Sequence, residues 1–183
     1  MTAEKQVVLD SNEVGKALSR MAHEILEKNT ESEPLALIGI RSRGAHLAHR
    51  IACKIEEFTG KLPTVGVIDV TPFRDDRAGD PNQTTTQQFE VSIDDKTVVL
   101  VDDVIYTGRT IRAALDAVSR LGRPRRILLA ILVDRGERQL PIKADVVGKN
   151  VHATGAERVN VLLKESDGMD QVVISDWRSR HAS

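Results

Sequence analysis

Four short runs of apolar residues constrain the fold of this chain more than any other feature. They read LALIGI (35–40), TVGVIDV (64–70), KTVVLV (96–101) and RILLAILV (126–133). Strands that are apolar on both faces are typical of a parallel sheet that helices cover on both sides. The sequence therefore predicts an α/β fold with a central parallel sheet flanked by helices.

Three other segments carry apolar residues at helical spacing. The first begins near Asp10, which lies three residues before Glu13 and predicts a capping box at the start of a helix. The second and third cover 44–58 and 110–122, and Gly122 is a typical helix terminator. Two short apolar stretches near the end of the chain, VNVLL and QVVIS, predict edge strands or packing segments.

Composition limits the class of protein. The 183 residues suffice for one domain with a sizeable core, and we expect a single domain over 1–183. A formal net charge of −1 means that nucleic-acid binding would need a local basic patch. The single cysteine, Cys53, fits a reducing compartment, and no stretch is typical of a signal peptide or a membrane span. These features predict a cytoplasmic protein.

A long polar segment at 71–90 separates the second and third apolar runs and contains two prolines. It could hold a β-hairpin or a mobile flap, and loops of this length in small domains are usually functional or disordered. His46 and His49 lie three residues apart in the second helix. No third metal ligand is evident for them, so we expect solvated or packing histidines.

Two adjacent acids, Asp102 and Asp103, follow the third apolar run, and the turn 106–110 then leads into a helix. Parallel sheets bind ligands at the carboxyl ends of their strands. A glycine turn at a helix start offers backbone N–H groups to a phosphate, and carboxylates accept sugar hydroxyls or hold Mg²⁺ through water. The P-loop pattern is absent. The stretch predicts a site for a ribose 5-phosphate rather than a helix cap alone.

The segment VVLVDDVIYTGRT (98–110) resembles the signature of type I phosphoribosyltransferases, which bind phosphoribosyl pyrophosphate (PRPP). The segments RMAHEI, GIRSRGAHLA, VIDVTPFRDD and GRPRRILLAILVDRGERQLPIKADVVGKN resemble the PyrR family of pyrimidine-operon attenuation proteins and uracil phosphoribosyltransferases. The resemblance covers nearly the whole chain. It implies a type I phosphoribosyltransferase fold with a flexible hood loop at about 71–92. It also implies an Mg²⁺-dependent reaction of uracil with PRPP that yields UMP and diphosphate.

The resemblance also assigns roles to residues. The ribose-binding, catalytic acids are Asp102 and Asp103. The residues implied to hold the 5-phosphate are Tyr106, Thr107, Gly108, Arg109 and Thr110. Those implied to hold pyrophosphate are Ser42 and Arg43, with Arg41 nearby. Those implied on the base side are Ile105, Val133, Asp134 and Arg135. Those implied at the start of the hood loop are Arg74, Asp75 and Asp76.

The family also binds a hairpin in the leader of pyrimidine-operon messenger RNA when UMP is bound. The positions that match its RNA surface are Ser19, His23, Ser42, Arg138, Lys143 and Lys149, and Arg123, Arg125 and Arg126 add local positive charge. Relatives commonly have histidine in place of Glu137, threonine in place of Ser19 and arginine in place of Lys143. An acid repels phosphate and lysine lacks the arginine fork. RNA binding is therefore expected to be weaker or directed to a different RNA.

Two alternatives to an RNA-binding regulator with uracil phosphoribosyltransferase activity stay open at this stage. One is a salvage phosphoribosyltransferase without RNA control, and the other is a relative that uses a purine base. The family resemblance further implies a homodimer or a larger homo-oligomer, with UMP and UTP as regulatory ligands and no membrane partner.

Overall fold

The computed structural model describes residues 6–29, 33–73 and 92–176. In these ranges the elements are, in chain order, β1 (Gln6–Leu9), α1 (Ser11–Lys28), β2 (Leu35–Ile40), α2 (Arg43–Thr59), β3 (Thr64–Ile68), a 3₁₀ turn (Thr71–Phe73), β4 (Thr97–Ile105), α3 (Arg109–Leu121), β5 (Arg126–Asp134), β6 (Val146–Asn150), β7 (Glu157–Leu162), α4 (Lys164–Asp167) and β8 (Gln171–Asp176).

The centre of the fold is a five-stranded sheet with the order β3-β2-β4-β5-β6, in which every neighbouring pair is parallel. Each of the four predicted apolar runs is one of its strands, so the predicted α/β fold is confirmed. Helices α1 and α2 pack on one face, and α3 with the 3₁₀ turn packs on the other. Because both faces are covered, strand β4 alternates between the two cores: Val99 and Val101 face α1 and α2, while Val98 and Leu100 face α3.

The helices follow their sequence signals. The predicted capping box of α1 is confirmed, since the Glu13 backbone N–H donates to Asp10 Oδ1 at 2.8 Å and the Asp10 N–H donates to Glu13 Oε2 at 2.9 Å. The apolar stripe of α1, which includes Met21 and Ile25, is fully buried. Within the ranges that the structure describes, no helix is both long and apolar enough to cross a membrane.

The fifth parallel strand, β6, is a feature that the sequence did not predict. Its sequence, VVGKN, has only two strongly apolar residues and a glycine. The glycine is explained by packing, because a Cβ on Gly148 would lie 2.5 Å from Leu132 O and 3.1 Å from Met21 Sδ. Helix α1 therefore approaches the backbone of β6 closely, and Arg20 donates to the carbonyls of Val147 and Gly148.

Strand β4 is longer than predicted, and this changes the setting of the two acids. The sequence indicated a strand over 96–101 with the acids after its end, whereas β4 continues to Ile105. Pairing with β5 continues past the acids, since Asp102 lies opposite Ile131 and Val104 opposite Val133. The acids are thus held by strand hydrogen bonding rather than by a loop.

A second, three-stranded antiparallel sheet has the order β1-β8-β7. Its strands come from the start and the end of the described chain, and Gln6 pairs with Ile174, which also pairs with Val159. The prediction of edge strands or packing segments in this region is therefore refined to a separate sheet. Val159 and Val161 of β7 belong to the core cluster that contains α1 and α2.

Most of the predicted hood loop at about 71–92 lies outside the described residues, including Arg74, Asp75 and Asp76. Its predicted flexibility stays a prediction. Phe73, the last described residue before 74–91, contacts the α3 side of the fold, where the guanidinium carbon of Arg120 lies 5.1 Å from the centre of the Phe73 ring.

Candidate active site

The parallel sheet brings three of the predicted site segments to one edge. Strands β2, β4 and β5 are neighbours, and their carboxyl ends lead into Ser42, the 106–110 turn and Arg135, respectively. The register places Gly39 beside Val101. Sequence motifs that are far apart in the chain therefore meet at the edge where parallel sheets commonly bind ligands.

Two glycines set the distance between the start of α2 and the strands beneath it. A Cβ on Gly39 would lie 2.4 Å from Ala45 Cα, and a Cβ on Gly44 would lie 2.5 Å from Val101 O and 3.3 Å from Asp102 Cα. No side chain larger than hydrogen fits these contacts without a shift of backbone. The peptide bond between Arg41 and Ser42 is cis. The close contacts at Gly39 and Gly44 hold the start of α2, which carries the predicted pyrophosphate residue Arg43, against the strand that carries the acids.

The two acids sit in different surroundings. Adjacent residues of a strand point to opposite faces, and Asp102 is only 7% exposed. Asp102 Oδ1 accepts the Asp103 N–H at 2.9 Å, and Asp103 Oδ1 accepts the Val104 N–H at 2.8 Å. Burial raises the pKa of Asp103, although these hydrogen bonds and the positive charge of Arg43 act in the opposite direction. A cationic ligand at this place would relieve the penalty on the Asp103 carboxylate.

Arg43 reaches across to Asp167 in α4, the short helix between β7 and β8. Its Nη2 lies 3.0 Å from Asp167 Oδ1 and 3.1 Å from Oδ2, and Asp167 Oδ2 also accepts the Leu163 N–H at 2.9 Å. The Leu163 hydrogen bond and then Arg43 lower the pKa of Asp167. The buried Nε of Arg43 has no hydrogen-bond partner within the described residues. Part of this guanidinium therefore has donor capacity left for an anionic ligand.

A cavity of about 370 Å³ lies between the two sheets, and its lining includes Arg43, Asp103, Asp167, Arg158 and Asn160. Sequence reasoning missed the last three residues. For β7 a signal was present, because Arg158 and Asn160 alternate with the buried Val159 and Val161. This two-residue period predicts that one face of the strand is polar.

The predicted phosphate turn begins helix α3 without a capping side chain. Gly108 occupies the N-cap in the left-handed region, with φ at 93°. Ser42 at the start of α2 also makes no side-chain capping bond, whereas α1, which starts elsewhere, has a complete capping box. Helix starts carry partial positive charge and orphan N–H groups. Both helices that start at the ligand edge of the sheet therefore lack the side-chain cap that α1 has, and such helix starts suit an anion.

The base-side residues pack against the phosphate turn. The guanidinium carbon of Arg135 lies 3.9 Å from the centre of the Tyr106 ring. The Arg135 guanidinium also donates to the carbonyls of Thr154 and Glu157, and its backbone N–H donates to Ile105 O at 3.2 Å. Val133 is fully buried in β5. These contacts join β4, β5 and the loop before β7 into one wall of the site.

The two acids at this edge of the sheet are chemically suitable partners for Mg²⁺. Among the described residues, no group of three or more histidine, cysteine or acidic side chains could hold a metal ion by itself. Asp102 and Asp103 supply hard oxygen atoms, and the Oδ1 of each accepts a backbone N–H. Mg²⁺ is commonly bound by one or two carboxylates together with substrate phosphates and water. The residues present therefore fit Mg²⁺ that arrives with a phosphorylated substrate.

The predicted RNA-contacting residues do not all have the same setting. His23 is exposed on α1, and its ring stacks on Phe58 with centroids 4.0 Å apart. Lys149 is exposed on β6, which packs beside α1, and Lys143 is exposed just before β6. Arg138, in contrast, donates to several acceptors of its own chain, including Asp134.

Two other features bear on the expected RNA surface. Glu137 has φ at 54°, and its Oε2 lies 3.6 Å from an Arg135 nitrogen, so its negative charge is partly balanced within the protein. Arg125 pairs with Glu33 and Arg126 donates to Lys28 O. The Arg123–Arg126 cluster precedes or begins β5, and it therefore lies at the opposite edge of the sheet from Arg138.

The remaining histidines have local contacts. His46 Nε2 lies 3.3 Å from Ser166 Oγ, and His49 Nε2 lies 3.8 Å from Cys53 Sγ. Cys53 is half-buried and forms no disulfide.

Fold and site together define a phosphoribosyltransferase, and comparison with known proteins agrees. Residues 6–161 match the family model described as phosphoribosyl transferase domain. A solved structure of hypoxanthine phosphoribosyltransferase from Trypanosoma cruzi with the product IMP has a TM-score of 0.71 and 18% identity, and the match covers 98% of this chain and 94% of that one. A solved structure of hypoxanthine phosphoribosyltransferase from Staphylococcus aureus has a TM-score of 0.69 and 16% identity, and the match covers 95% of this chain and 94% of that one. Identities this low show a common fold.

The sequence relatives are more specific. The bifunctional protein PyrR of Pelotomaculum thermopropionicum is 51% identical over 176 residues, with 95% of this chain and 97% of the relative covered. The bifunctional protein PyrR of Thermus thermophilus is 54% identical over 170 residues, with 92% and 94% covered. The chain belongs to the PyrR family of phosphoribosyltransferases.

Proposed function

We propose that this protein is a UMP-responsive, RNA-binding regulator of pyrimidine genes that also converts uracil and PRPP into UMP and diphosphate. The observation that carries the proposal is the end of β4. There, Asp102 and Asp103 precede a helix without a capping side chain, and the Arg43 guanidinium lies close enough to oppose the raised pKa of Asp103. Relatives that share about half of their residues with this chain carry the name bifunctional protein PyrR. This name supports the proposal that one chain has both the regulatory and the enzymatic function.

In this proposal PRPP spans the ligand edge of the sheet. The 5-phosphate binds the turn Tyr106–Thr110, where backbone N–H groups of a helix start suit an anion. The ribose hydroxyls hydrogen-bond to Asp102 and Asp103, and the pyrophosphate binds Ser42 and Arg43. The free Nε of Arg43 supports the last assignment, because a buried donor without a partner is otherwise unfavourable.

The reaction needs no covalent nucleophile. A ring nitrogen of uracil attacks C1 of the ribose as the bond from C1 to pyrophosphate breaks, and the proton on that nitrogen leaves to solvent. Positive charge develops on the sugar in the transition state. The carboxylate of Asp103, whose charged form is disfavoured by burial in the free protein, is stabilised when that cation forms. Positioning and electrostatics therefore supply most of the catalysis.

Mg²⁺ is the proposed cofactor: it would be bound directly by the substrate, and Asp102 and Asp103 are the residues that would hold it through water. When bound with PRPP, Mg²⁺ neutralises charge on the leaving diphosphate. The uracil base is proposed to lie beside Ile105 and the end of β5, where Val133, Asp134 and Arg135 form the wall described above. Closure of the hood loop at about 71–92, with Arg74, Asp75 and Asp76 near its start, would exclude water from the reacting sugar.

The regulatory function is proposed to use an RNA surface made by Ser19, His23, Lys143 and Lys149, with Ser42 and Arg138 at its border. The exposed lysines and the stacked pair of His23 with Phe58 suit a structured RNA loop, because phosphate contacts and aromatic stacking are common modes of RNA recognition. UMP and UTP are the proposed effectors, and a role on nascent messenger RNA places the protein in the cytoplasm.

Self-association is a further part of the proposal, as a homodimer or a larger homo-oligomer. Leu62, just before the edge strand β3, and Val67, within that strand, are large apolar side chains that are 55% and 40% exposed. Large apolar side chains exposed along the edge of a sheet are typical of interaction surfaces. Sedimentation velocity tests this part: the wild-type protein should sediment as an oligomer that Leu62→Asp weakens, and a wild-type monomer at micromolar concentration would contradict it.

The enzymatic part is tested by UMP formation from uracil and PRPP with Mg²⁺, with hypoxanthine and guanine as competing bases. Uracil should be the preferred substrate, and Asp102→Asn and Asp103→Asn should each reduce activity sharply while circular dichroism shows an intact fold. Full activity of both variants at saturating PRPP would refute the assignment of the acids. Preference for a purine base would redirect the proposal to a different salvage reaction.

The regulatory part is tested by gel shift with the leader RNA, with and without UMP. UMP should strengthen binding, and Lys149→Ala should weaken it and flatten the salt dependence by roughly one unit of log-log slope. Glu137→His, which removes an acid near the phosphate-facing surface, should tighten RNA binding. Absence of RNA binding at low salt in the presence of UMP would leave a salvage enzyme.

A further inference from the structure

Arg138 ties together the two loops that border the candidate site. Its guanidinium donates to Tyr106 O at 2.9 Å in the phosphate turn, to Ile142 O at 3.0 Å and Gly136 O at 3.3 Å in its own loop, and to Asp134 Oδ2 at 2.5 Å at the end of β5. The Arg138 side chain is only 20% exposed. Most of its donor capacity is therefore used inside the protein.

The segment around Arg138 also holds the next carbonyl of the turn. Thr107 O accepts the backbone N–H groups of Gln139 at 3.0 Å and Leu140 at 3.2 Å. In a planar trans peptide, the C=O of one residue and the N–H of the next point in opposite directions. Because the Tyr106 and Thr107 carbonyls are drawn toward the 136–142 loop, the N–H groups of Thr107 and Gly108 point away from that loop.

We propose that Arg138 is a positioning residue of the phosphoribosyl site: it fixes the orientation of the 106–108 peptides and joins them rigidly to the base side through Asp134. The inference rests on the proposed function in one respect, namely that the 106–110 turn binds the 5-phosphate. It changes the role of Arg138, which sequence resemblance places on the RNA surface. A contact of its guanidinium with RNA would require it to leave the Tyr106 carbonyl or the Asp134 carboxylate.

The charge balance supports this role. Asp134 Oδ1 accepts the Gly136 N–H at 2.9 Å, so one carboxylate fixes the loop backbone and the arginine at the same time. Hydrogen bonds that involve charged groups are the stronger class. Lysine could keep the ion pair with Asp134, but its single nitrogen lacks the fork that reaches several acceptors in different directions. Arg138→Lys should therefore keep the fold while it loosens the turn.

The experiment compares the affinities for UMP and for pyrophosphate in Arg138→Ala and Arg138→Lys. UMP should bind about tenfold or more weakly in titration calorimetry, as expected when charged hydrogen bonds are lost. The pyrophosphate affinity should stay unchanged, because Ser42 and Arg43 are held by different contacts, including Asp167. A general loss of folding would weaken both ligands, so the difference between them reports positioning.

Arg20→Ala is a matched control, since Arg20 also donates to two backbone carbonyls and one carboxylate, but on α1 beside β6. It should lower stability without a change in UMP affinity. A second readout uses Tyr106, the single tyrosine of the chain. Protein labelled with 3-fluorotyrosine gives one ¹⁹F signal, which should shift or broaden in the Arg138 variants and remain unchanged in Arg20→Ala.

Weaker UMP binding with unchanged pyrophosphate binding and an altered ¹⁹F signal supports the proposal. Wild-type UMP affinity in either folded Arg138 variant, or equal losses for both ligands, overturns it. If Arg138→Ala does not fold, Arg138→Lys decides by the same criteria. Failure of the wild-type protein to bind UMP would instead refute the proposed function, and the ¹⁹F signal would still show whether Arg138 holds the turn.

Discussion

Gly44→Ala should damage the site by moving the start of α2 away from β4. The Cβ added by this substitution would lie 2.5 Å from Val101 O and 3.4 Å from Asp102 Oδ1. A carbon and a carbonyl oxygen approach to about 3.3–3.6 Å in unstrained contacts. The helix start, the strand or both must therefore shift by roughly 0.8–1.1 Å. Arg43, the neighbouring residue, would shift with the helix.

The magnitude has two parts. Overpacking of a dense interior costs about 1–3 kcal/mol of the free energy of unfolding. A misplacement of about 1 Å in groups that position a substrate can reduce the rate by about 10²-fold. We therefore expect Gly44→Ala to lower kcat/KM for PRPP by one to two orders of magnitude, with a stability loss of about 1–3 kcal/mol.

Gly15→Ala is the matched control for this prediction. Gly15 lies inside α1, and a Cβ there would meet nothing within 4 Å. Replacement of a helical glycine by alanine should stabilise the protein by about 0.5–1 kcal/mol and leave activity unchanged. Urea unfolding and UMP formation are measured for both variants. Wild-type stability and activity in Gly44→Ala would refute the reasoning from close backbone contact.

Three further predictions follow from the ionisable groups. Asp103→Asn should raise the Tm at neutral pH, because burial raises the pKa of Asp103 and penalises its charged form. The difference in Tm between the variant and the wild-type protein should shrink in acid, where the wild-type carboxyl becomes protonated and uncharged. Asp167→Asn should tighten inhibition by diphosphate severalfold, since Arg43 loses an ionic competitor. Arg50 donates hydrogen bonds to the carboxylates of Glu165 and Asp170 and lowers the pKa of both. Arg50→Met should therefore lower the Tm by a few degrees at neutral pH. The loss should be smaller in acid, because the stabilising effect of these two carboxylates is lost as pH falls through their lowered pKa values. Melting curves across pH test the first and third predictions, and an opposite pH trend would contradict them.

The fold was predictable wherever the signal was local. The four long apolar strands and the capping box of α1 depend on residues that are close in sequence. Strand β6 was missed because Gly148 is explained only by the approach of Met21 and Leu132, which come from other elements. The second sheet was only partly predicted, since its short strands acquire their partners from the far end of the chain.

In the candidate site, too, residues with a local sequence signal were predicted, and residues that depend on distant contacts were not. Asp102, Asp103 and the 106–110 turn lie in one contiguous stretch, so the sequence indicated them together. Asp167 reaches the site only through its contact with Arg43, more than a hundred positions away in the chain. The contacts of Arg138 with Tyr106 were likewise invisible, because nothing local in either segment indicates that the two meet.

The second sheet also has a consequence for the order in which the molecule is built. Its pairing of Gln6 with Ile174 spans almost the whole described chain, so it closes a far longer loop than the neighbouring pairs of the parallel sheet, and loop closure is slower for distant partners. During synthesis, strands β2 to β6 are complete before β8 is available. The carboxylates of β4 are therefore in place first. Asp167, which engages Arg43 from α4 between β7 and β8, is synthesised after the whole parallel sheet, so Arg43 gains this partner only when the second sheet forms.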